Sequence, residues 1–481
     1  MIAKQPRAFY LIFSIEFWER FGFYGMQALI VLFMVNKLGY SDENADLLFG
    51  GFMALLSLLP CLGGYIGDNI LGTKRTIILG ALVLAVGYLL LSVPYIEYHY
   101  LLLPLATIAV GNGLFKANPA SLLSSIYKDS EVSLDSGYTL YYMAINIGGL
   151  TAMLLTPVIR VYFGWYLAFL ICCIGLVIVI VNFIFMSRVV KHVGSKPDFA
   201  PIRLDYLFLV LLMSVGIIGC FYWLLQHEVI LSVVLILGST LLFAYFIWQI
   251  VKAPAAEKKN MVFFLVLTLQ AIIFFVLYSQ MPTSMTLFAE RNVQHSLLGI
   301  HIEPASYQAL NEFWIVILAP ILAIVYQQLR SRNIVLSMAT KFALGTLLAA
   351  SAFLSLSASA LFAHNGVVSG WWLVLAYFLE SAGELLVSAL GLSLVAQYIP
   401  RRLMGFTMGF WYLCTAIAFI IGGHVAAVAR IPESIAHDAI KSLPLYSHLF
   451  LQIGVVTTMI SILMFAFIPL LRKLGRKPFV K

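Results

Sequence analysis

Residues 9–35 read FYLIFSIEFWERFGFYGMQALIVLFMV, an apolar run that is interrupted only by a short charged patch. As a helix this run would be about 40 Å long, which exceeds the ~30 Å hydrocarbon core of a bilayer. It is too long for the apolar core of a cleavable signal peptide, and no small-residue cleavage site follows it. We therefore expect it to be retained as a first transmembrane helix.

The composition of the whole chain, like this first run, indicates a membrane protein. Of its 481 residues, 62% are hydrophobic and 10% are charged. One soluble core cannot hide so much apolar surface, so lipid must solvate it. The net charge of +8 lies mostly in short loops between apolar runs, which indicates membrane topology and no nucleic-acid partner. All five cysteines lie in apolar stretches without a metal-ligand spacing, so we expect no metal site.

Windows of about 20 apolar residues predict an all-α integral membrane protein with fourteen transmembrane helices. An even number of spans places both termini on one side. Of the 29 Lys and Arg residues, 22 lie at the termini or in loops on their side, five lie in the opposite loops, and two lie inside spans, which predicts cytoplasmic termini. The spans cover approximately residues 8–36, 46–67, 75–95, 100–125, 137–160, 163–187, 204–226, 229–251, 260–289, 306–328, 338–363, 370–398, 402–428 and 446–471.

The spans group as six, two and six. Residues 188–203 and 252–260 are charged, contain proline and bracket the central pair, so both are interpreted as linkers. The predicted domains are an N-terminal six-helix bundle at 1–190, a linker with two extra transmembrane helices at 191–259, and a C-terminal six-helix bundle at 260–481. Two such bundles predict a binding site near the membrane midplane between them.

The charged patch of the first span consists of Glu16, Glu19 and Arg20. Their spacing places all three close to one helix face. A charge in mid-span costs about 2.5 to 3.5 kcal/mol on insertion scales, so each needs a partner, water or a function. Two carboxylates beside one guanidinium leave one acid able to take up a proton. We favour a role in proton coupling over a purely structural ion network.

Further charges lie deep in later spans. Lys116 lies in a span punctuated by glycine and proline, which we expect to bend, and it is too deep to reach the interface by snorkelling. Glu384 lies at a comparable depth in the other half, so the two form opposite poles that suit a zwitterion. Glu380, one turn from Glu384, either lines the same cavity or lies nearer the lipid interface.

The loop after the second span, residues 64–75, has an acid at the end of one helix and two bases at the start of the next. Asp68 is expected to pair with Lys74 and Arg75, and all three with helix dipoles, as a latch on the cytoplasmic side. The alternative is that the bases only set the topology.

This loop resembles the signature loop of the major facilitator superfamily, which implies the fold of two six-helix bundles and alternating access. Four further motifs, spread over essentially the whole chain, resemble those of the proton-dependent oligopeptide transporter (POT/PTR) family, and the central helix pair resembles its bacterial members. The motifs are Glu16-x-x-Glu19-Arg20-Phe-x-x-Tyr24, Gly111-Asn-Gly-Leu-Phe-Lys116-Ala-Asn118-Pro119, Tyr138-Thr-Leu-Tyr-Tyr142-Met-Ala-Ile-Asn146-Ile-Gly148, and Gly383-Glu384-Leu-x-x-Ser388-x-x-Gly391-Leu392.

The resemblance implies a proton-coupled symporter that imports di- and tripeptides through the bacterial inner membrane, with the proton as coupling ion and no other cofactor. The implied partners are the peptide, protons and the lipid bilayer, with no obligatory protein partner. An alternative is symport of another small anionic or zwitterionic solute. An enzyme is not expected, because no HExxH or GxSxG context occurs in the chain.

The resemblance also implies roles for individual residues. Arg20 and Lys116 would receive the peptide carboxylate, while Asn146, Asn311 and Glu384 would receive its amino group. The implied proton-coupling set is Glu16, Glu19, Arg20, Lys116 and Glu384. The implied substrate-binding set is Arg20, Tyr24, Lys116, Tyr142, Asn146, Gln280, Asn311, Glu384, Ser388 and Trp411.

Several positions depart from the family pattern. Phe23 stands where many members have a second tyrosine, Gln27 where some have arginine, and Ser57 where a pocket tyrosine is common. Ser279 and Gln280 lie where some members carry a gating acid, so a salt bridge from that span to Lys116 or Arg20 is not expected here. Glu380 is a candidate to compensate for that missing acid.

Overall fold

The computed structural model describes residues 5–94, 98–127, 134–334, 336–388, 391–429, 431–436 and 438–475. Over these residues the chain is almost entirely helical, which confirms the predicted all-α class. The one sheet in the described part is a two-stranded hairpin of β1 (Ser296–Leu297) and β2 (Ile300–His301). Six of the Lys and Arg residues counted for topology lie outside the described residues, namely Lys4, Lys128, Arg430, Arg476, Lys477 and Lys481.

The contacts divide the chain into two compact units. The first contains the residues up to Phe33 together with Leu55–Glu228. Its helices are α1 (Arg7–Asn36), the last turn of α2 (Asp42–Leu58), α3 (Pro60–Asn69), α4 (Thr73–Leu91), α5 (Leu102–Lys116), α6 (Asn118–Ile126), α7 (Leu134–Phe163), α8 (Trp165–Phe185) and α9 (Leu204–Gln226).

The second unit contains Met34–Ala54 and the residues from Val229 onward. Its helices are the first part of α2, then α10 (Glu228–Lys252), α11 (Ala255–Tyr278), α12 (Ser284–Asn292), α13 (Ala309–Ser331), α14 (Met338–Ser359), α15 (Trp371–Val387), α16 (Gly391–Tyr398), α17 (Met404–Ala427), α18 (Glu433–Ala436) and α19 (Ala439–Leu474). The central pair of predicted spans is thus divided, because α9 packs on α5 in the first unit and α10 packs on α17 in the second. The predicted domain boundaries at 190/191 and 259/260 stay a prediction.

Twelve helical segments of the described residues are long and apolar enough to cross a membrane. The two other predicted spans correspond to α1, which has 30 residues but carries four charged residues, and to α15, which has 17 residues. The count of fourteen is consistent with this arrangement.

Several predicted spans are broken into two helices, and proline explains three of the breaks. Pro60 and Pro119 each lie in the first turn of the second helix, where a missing N–H is tolerated. The bend expected near Lys116 falls at the break between α5 and α6. Residues 279–283, which contain Pro282, separate α11 from α12, although the sequence predicted one continuous span at 260–289.

Glycines bring the helices of the first unit close together. A Cβ on Gly111 would lie 2.6 Å from the backbone nitrogen of Leu84, and one on Gly80 would lie 2.8 Å from that of Phe115. Such contacts hold α4 against α5 because only small residues let helix backbones approach this closely. This packing fixes α5, and with it Lys116 at its C-terminal end.

Candidate functional site

The charged residues of α1 form one buried cluster. Nε of Arg20 lies 2.6 Å from Oε2 of Glu19 and 3.3 Å from Oε1 of Glu16. Glu16 is 3% exposed, Glu19 is fully buried and Arg20 is 6% exposed. The structure thus brings together the three residues that the helical spacing predicts on one face.

Helix α7 completes the cluster from outside α1. The hydroxyl of Tyr141 donates a hydrogen bond of 2.8 Å to Oε2 of Glu16. The helices come this close because Gly148 faces α1, where a Cβ would lie 2.5 Å from the carbonyl oxygen of Phe17. The sequence motif included Gly148, but the role of Tyr141 was not predicted.

One carboxylate oxygen of the cluster, Oε1 of Glu19, is buried and has no hydrogen-bond partner among the described residues. With both acids ionised, Arg20 would balance only one of two negative charges. A buried, unbalanced carboxylate costs several kcal/mol, so binding of one proton by this cluster is favourable.

Lys116 is a further cation of this unit that interacts with the cluster. It is half-buried and close enough to interact electrostatically with Glu16, Glu19 and Arg20. No described residue forms an ion pair with its ammonium group within 4.0 Å. Its charge is therefore available to an anionic group of a solute.

Aromatic and amide residues surround the cluster on α1. The guanidinium of Arg20 lies 5.5 Å from the ring centroid of Phe23, so the residue that departs from the family pattern serves as a cation–π partner. Tyr24, on the next position, is partly buried and interacts electrostatically with Arg20. Gln27 and Ser57 are both buried.

The two predicted substrate residues of α7 differ in accessibility. Tyr142 is 41% exposed, whereas Asn146 is 3% exposed. The Asn146 amide donates a 2.7 Å hydrogen bond to the carbonyl oxygen of Tyr142, one turn earlier in the same helix. The amide oxygen of Asn146 remains the polar atom through which it would contact a peptide amino group.

The second unit holds a polar group between α13 and α15. The Asn311 amide donates hydrogen bonds of 2.9 Å to Oε2 of Glu384 and 3.0 Å to Oγ of Ser381. Glu384 is partly exposed, and no described lysine or arginine forms an ion pair with it. It therefore presents a hydrogen-bonded carboxylate that lacks a counter-ion, as a receptor for an ammonium group requires.

Gln280 is held by main-chain groups at the break between α11 and α12. Its amide nitrogen donates to the carbonyl oxygens of Gly422 at 2.9 Å and Val276 at 3.2 Å, and its oxygen accepts from Ser284 at 2.9 Å. A Cβ on Gly422 would overlap the hydroxyl of Ser279. These residues fasten the broken helix to α17, and the predicted substrate role of Gln280 stays a prediction.

Trp411 packs beside the break between α15 and α16. It is 6% exposed, and a Cβ on Gly391 would overlap its indole ring. The ring centroid of Phe275 lies 6.2 Å away in an edge-on arrangement. Ser388 caps α15, with its backbone N–H bonded to the carbonyl oxygen of Glu384. Gly391, which belongs to the fourth family motif, thus allows the close helix contact that positions Trp411.

The expected ion pair of the latch is not formed. Asp68 is exposed and accepts a 3.3 Å hydrogen bond from Ser121, and no described lysine or arginine lies within 4.0 Å of its carboxylate. The two bases instead hold the segment that follows α8. Nζ of Lys74 donates to the carbonyl oxygen of Val190, and Arg75 donates to those of Pro197 and Ala200. A latch role for these three residues stays a prediction.

Asp198 explains why that segment docks there. Its carboxylate accepts hydrogen bonds from the backbone N–H of Lys74 at 3.1 Å and of Ser195 at 3.0 Å. An acid at the start of α4 satisfies N–H groups that have no partner in the helix. The sequence around Asp198 was interpreted only as a linker, because its partner lies more than a hundred residues earlier.

A second ion cluster in the second unit was missed. Arg291, at the end of α12, forms a two-pronged ion pair with Asp42, with one N–O distance of 2.8 Å. It also donates to the hydroxyl of Tyr446 at 3.0 Å. Asp46, one turn after Asp42, is 1% exposed, and its Oδ1 has no hydrogen-bond partner in the described chain. The spacing of the two aspartates was the available signal.

The described side chains form no cluster suited to a metal ion. The described residues contain no group of three or more His, Cys, Asp or Glu side chains that could hold a metal ion. The two charge clusters contain groups that form ion pairs and hydrogen bonds, and their carboxylates can bind protons.

Known proteins resemble this chain over almost its full length. The POT family matches residues 74–441. The dipeptide and tripeptide permease A of Klebsiella pneumoniae is 48% identical over 98% of this chain and 93% of its own. The Escherichia coli protein of the same name is 47% identical over 98% and 94%.

Solved structures agree with these sequence relatives. A crystal structure of tetrameric PepTSo2 has a TM-score of 0.88 at 38% identity and covers 97% of this chain and 99% of that one. A structure of the peptide transporter POT with bound sulfate has a TM-score of 0.85 at 27% identity and covers 98% and 96%. The relatives are transporters and permeases, which confirms that the chain is not an enzyme. Their fold confirms the predicted major facilitator architecture of a multi-pass membrane protein, and the chain belongs to the POT family.

Proposed function

We propose that this protein is a proton-coupled symporter that imports di- and tripeptides by alternating access. One observation carries the proposal: Glu16, Glu19 and Arg20 form a buried cluster with two acids and one base, in which Oε1 of Glu19 has no described partner. Such a cluster is unbalanced by one negative charge until it binds a proton. The names of the permease relatives supply the substrate class.

Each unit, taken by itself, contains a charged group that suits one terminus of a zwitterion. In the first, Lys116 has a cationic group without an ion-pair partner among the described residues. In the second, Glu384 has a carboxylate that is bonded to Asn311 and lacks a described counter-ion. A transporter of many different peptides must direct its fixed charges to the termini, which all of its substrates share.

The proton step is placed at the α1 cluster. Tyr141 donates to Glu16, and Arg20 donates to Oε2 of Glu19 and forms an ion pair with Glu16, so Oε1 of Glu19 is the atom proposed to bind the proton. Protonation leaves Arg20 balanced by Glu16 alone. A peptide carboxylate that contacts Arg20 would then compete with one acid instead of two, so proton and peptide binding favour each other.

The proposed location is the bacterial inner membrane, with both termini cytoplasmic and no obligatory protein partner. The proton, supplied from the periplasmic side, is the coupling ion, and no other cofactor is required. Binding of peptide and proton from outside would be followed by rearrangement of the two bundles and release into the cytoplasm.

Proteoliposomes that hold the purified protein test this proposal. A labelled dipeptide should accumulate inside under an inwardly directed proton gradient, and a proton ionophore should abolish the accumulation. Glu16→Gln should lose gradient-driven accumulation, whereas Glu228→Gln, a change at an exposed helix terminus, should keep it. Accumulation that persists in Glu16→Gln would contradict the coupling role. Failure of unlabelled dipeptides to compete would favour another zwitterionic or anionic solute.

A further inference from the structure

Glu380 on α15 is a buried acid that the proposed mechanism does not use. The residue is 1% exposed, and neither of its carboxylate oxygens has a hydrogen-bond partner among the described residues. Taking an ionised carboxylate out of water costs several kcal/mol unless a cation or donors compensate. In the described surroundings this side chain is therefore stable only as the neutral acid, with a proton on one oxygen.

Glu380 lies on the same face of α15 as the predicted peptide-binding residues. Glu384 and Ser388 follow at intervals of four residues, which places the three side chains in one row along the helix. Another face packs against α14, where a Cβ on Gly383 would lie 2.6 Å from the carbonyl oxygen of Gly345. By the predicted topology, Glu380 is one turn nearer the periplasm than Glu384.

The two acids have different surroundings. Glu384 is partly exposed and accepts a hydrogen bond from Asn311, so it can carry a negative charge. Glu380 is 1% exposed and has no hydrogen-bond partner among the described residues, and a second negative charge one turn from that of Glu384 would be repelled by it. Two neighbouring carboxylates without a cation hold one proton between them, and the contacts place that proton on Glu380.

The surroundings of Glu380 include no ion-pair partner for it. Tyr377 and Glu384 are the groups of α15 that interact with it electrostatically. The elements packed against α15 are α11, α13, α14 and the 3₁₀ turn Pro304–Gln308. Their described titratable residues are Glu257, Lys258, Lys259 and Tyr278 on α11, Tyr307 in the turn, Glu312, Tyr326 and Arg330 on α13, and Lys341 on α14.

We propose that Glu380 holds a second proton, separate from that of the α1 cluster, and releases it when the ammonium group of a peptide binds at Glu384. The inference rests on the proposed peptide transport and deepens it. The O–H bond of the Glu380 carboxyl group breaks, the proton passes to water, and the new carboxylate shares the charge of the bound ammonium group with Glu384. The ammonium group thus supplies a positive charge beside the two acids, for which the described residues provide no ion-pair partner.

This release makes the affinity of Glu384 for the ammonium group depend on pH, independently of the α1 cluster. Release of a proton on binding means that a higher proton concentration weakens binding at this site. Protons would therefore act on the two units in opposite directions, favouring peptide binding at Arg20 and opposing it at Glu384. A pH optimum for peptide binding follows from the two effects together.

Calorimetric titration of the intact protein with a dipeptide tests the proposal. The heat of binding, measured in buffers of different ionisation enthalpy at a series of pH values, gives the number of protons exchanged per bound peptide. In Glu380→Gln we expect fewer protons to be released, by as much as about one per peptide, with the dipeptide still bound. Glu228→Gln, at an exposed position, should exchange as many protons as the parent protein.

Equal proton exchange in Glu380→Gln and the parent at every pH would overturn the proposal. Infrared difference spectra provide a second measurement that does not depend on affinity. Addition of dipeptide to the parent should reduce the carbonyl band of a protonated carboxyl group, and that loss should be absent in Glu380→Gln. A parent protein that binds no dipeptide would overturn the proposed function itself, and this inference with it.

Discussion

Oε2 of Glu19 lies 2.6 Å from Nε of Arg20, and the other oxygen of the same carboxylate has no hydrogen-bond partner among the described residues. One carboxylate thus has two unlike oxygens, of which one is held by the guanidinium and one is free to bind a proton. The central claim, that this protein moves a proton together with its substrate, depends on this arrangement.

The contact between Asn311 and Glu384 yields a prediction about affinity. Asn311→Ala removes the amide that orients the Glu384 carboxylate, so we expect dipeptide affinity to fall about tenfold. A hydrogen bond to a charged group contributes about 1.5 to 3 kcal/mol, and 1.4 kcal/mol corresponds to a factor of ten. Calorimetry on purified protein measures the dissociation constant. Unchanged affinity in the variant would contradict a role for this hydrogen bond in peptide binding.

Sequence reasoning identified this pair only through the family resemblance. The two residues are 73 positions apart on different helices, so no local spacing connects them. By contrast, Glu16 and Arg20 are one turn apart on a single helix, and elementary helix geometry was enough to join them. Asp42 and Arg291 are 249 positions apart and belong to no motif that was used, so the tertiary fold alone reveals their contact.

The ion pair of Asp42 and Arg291 yields a prediction about stability. Both side chains are largely buried, so Arg291→Ala leaves an uncompensated buried carboxylate and should destabilise the protein by about 3 to 5 kcal/mol. Thermal unfolding in detergent gives the order of stability. The double variant Asp42→Asn with Arg291→Gln should recover much of the loss, because neither charge then remains.

An exposed ion pair of the same type provides the control. Arg203 and Asp205 also pair arginine with aspartate, but their side chains are 61% and 58% exposed. Arg203→Ala should therefore leave the midpoint of thermal unfolding almost unchanged, because an exposed ion pair contributes little to stability. Equal destabilisation by the two arginine substitutions would mean that burial does not distinguish the pairs.

The contact between α3 and α5 yields a prediction about helix packing. A Cβ on Gly63 would overlap the carbonyl oxygen of Gly113, which is a backbone atom and cannot move cheaply. We expect Gly63→Ala to lower the unfolding temperature by several degrees, in line with a loss of about 1 to 3 kcal/mol for overpacking. Thermal unfolding followed by tryptophan fluorescence would measure it.

Gly216 on α9 is the matched control for this substitution. No atom lies within 4 Å of a Cβ built there, so Gly216→Ala adds a methyl group to open space. Alanine also favours the helix by up to about 1 kcal/mol over glycine, so this variant should be as stable as the parent or slightly more stable. A destabilised Gly216→Ala, or an unaffected Gly63→Ala, would contradict the packing described for these helices.

The most direct test of the central claim is dipeptide uptake by Glu19→Gln in proteoliposomes, with and without an inwardly directed proton gradient. Glutamine preserves the shape of the side chain but cannot bind and release a proton, and it leaves Glu16 to balance Arg20 alone. We predict that the variant still exchanges labelled for unlabelled dipeptide across the membrane but no longer accumulates it under the gradient. Accumulation equal to that of the parent protein would show that the Glu19 carboxylate does not carry the coupled proton.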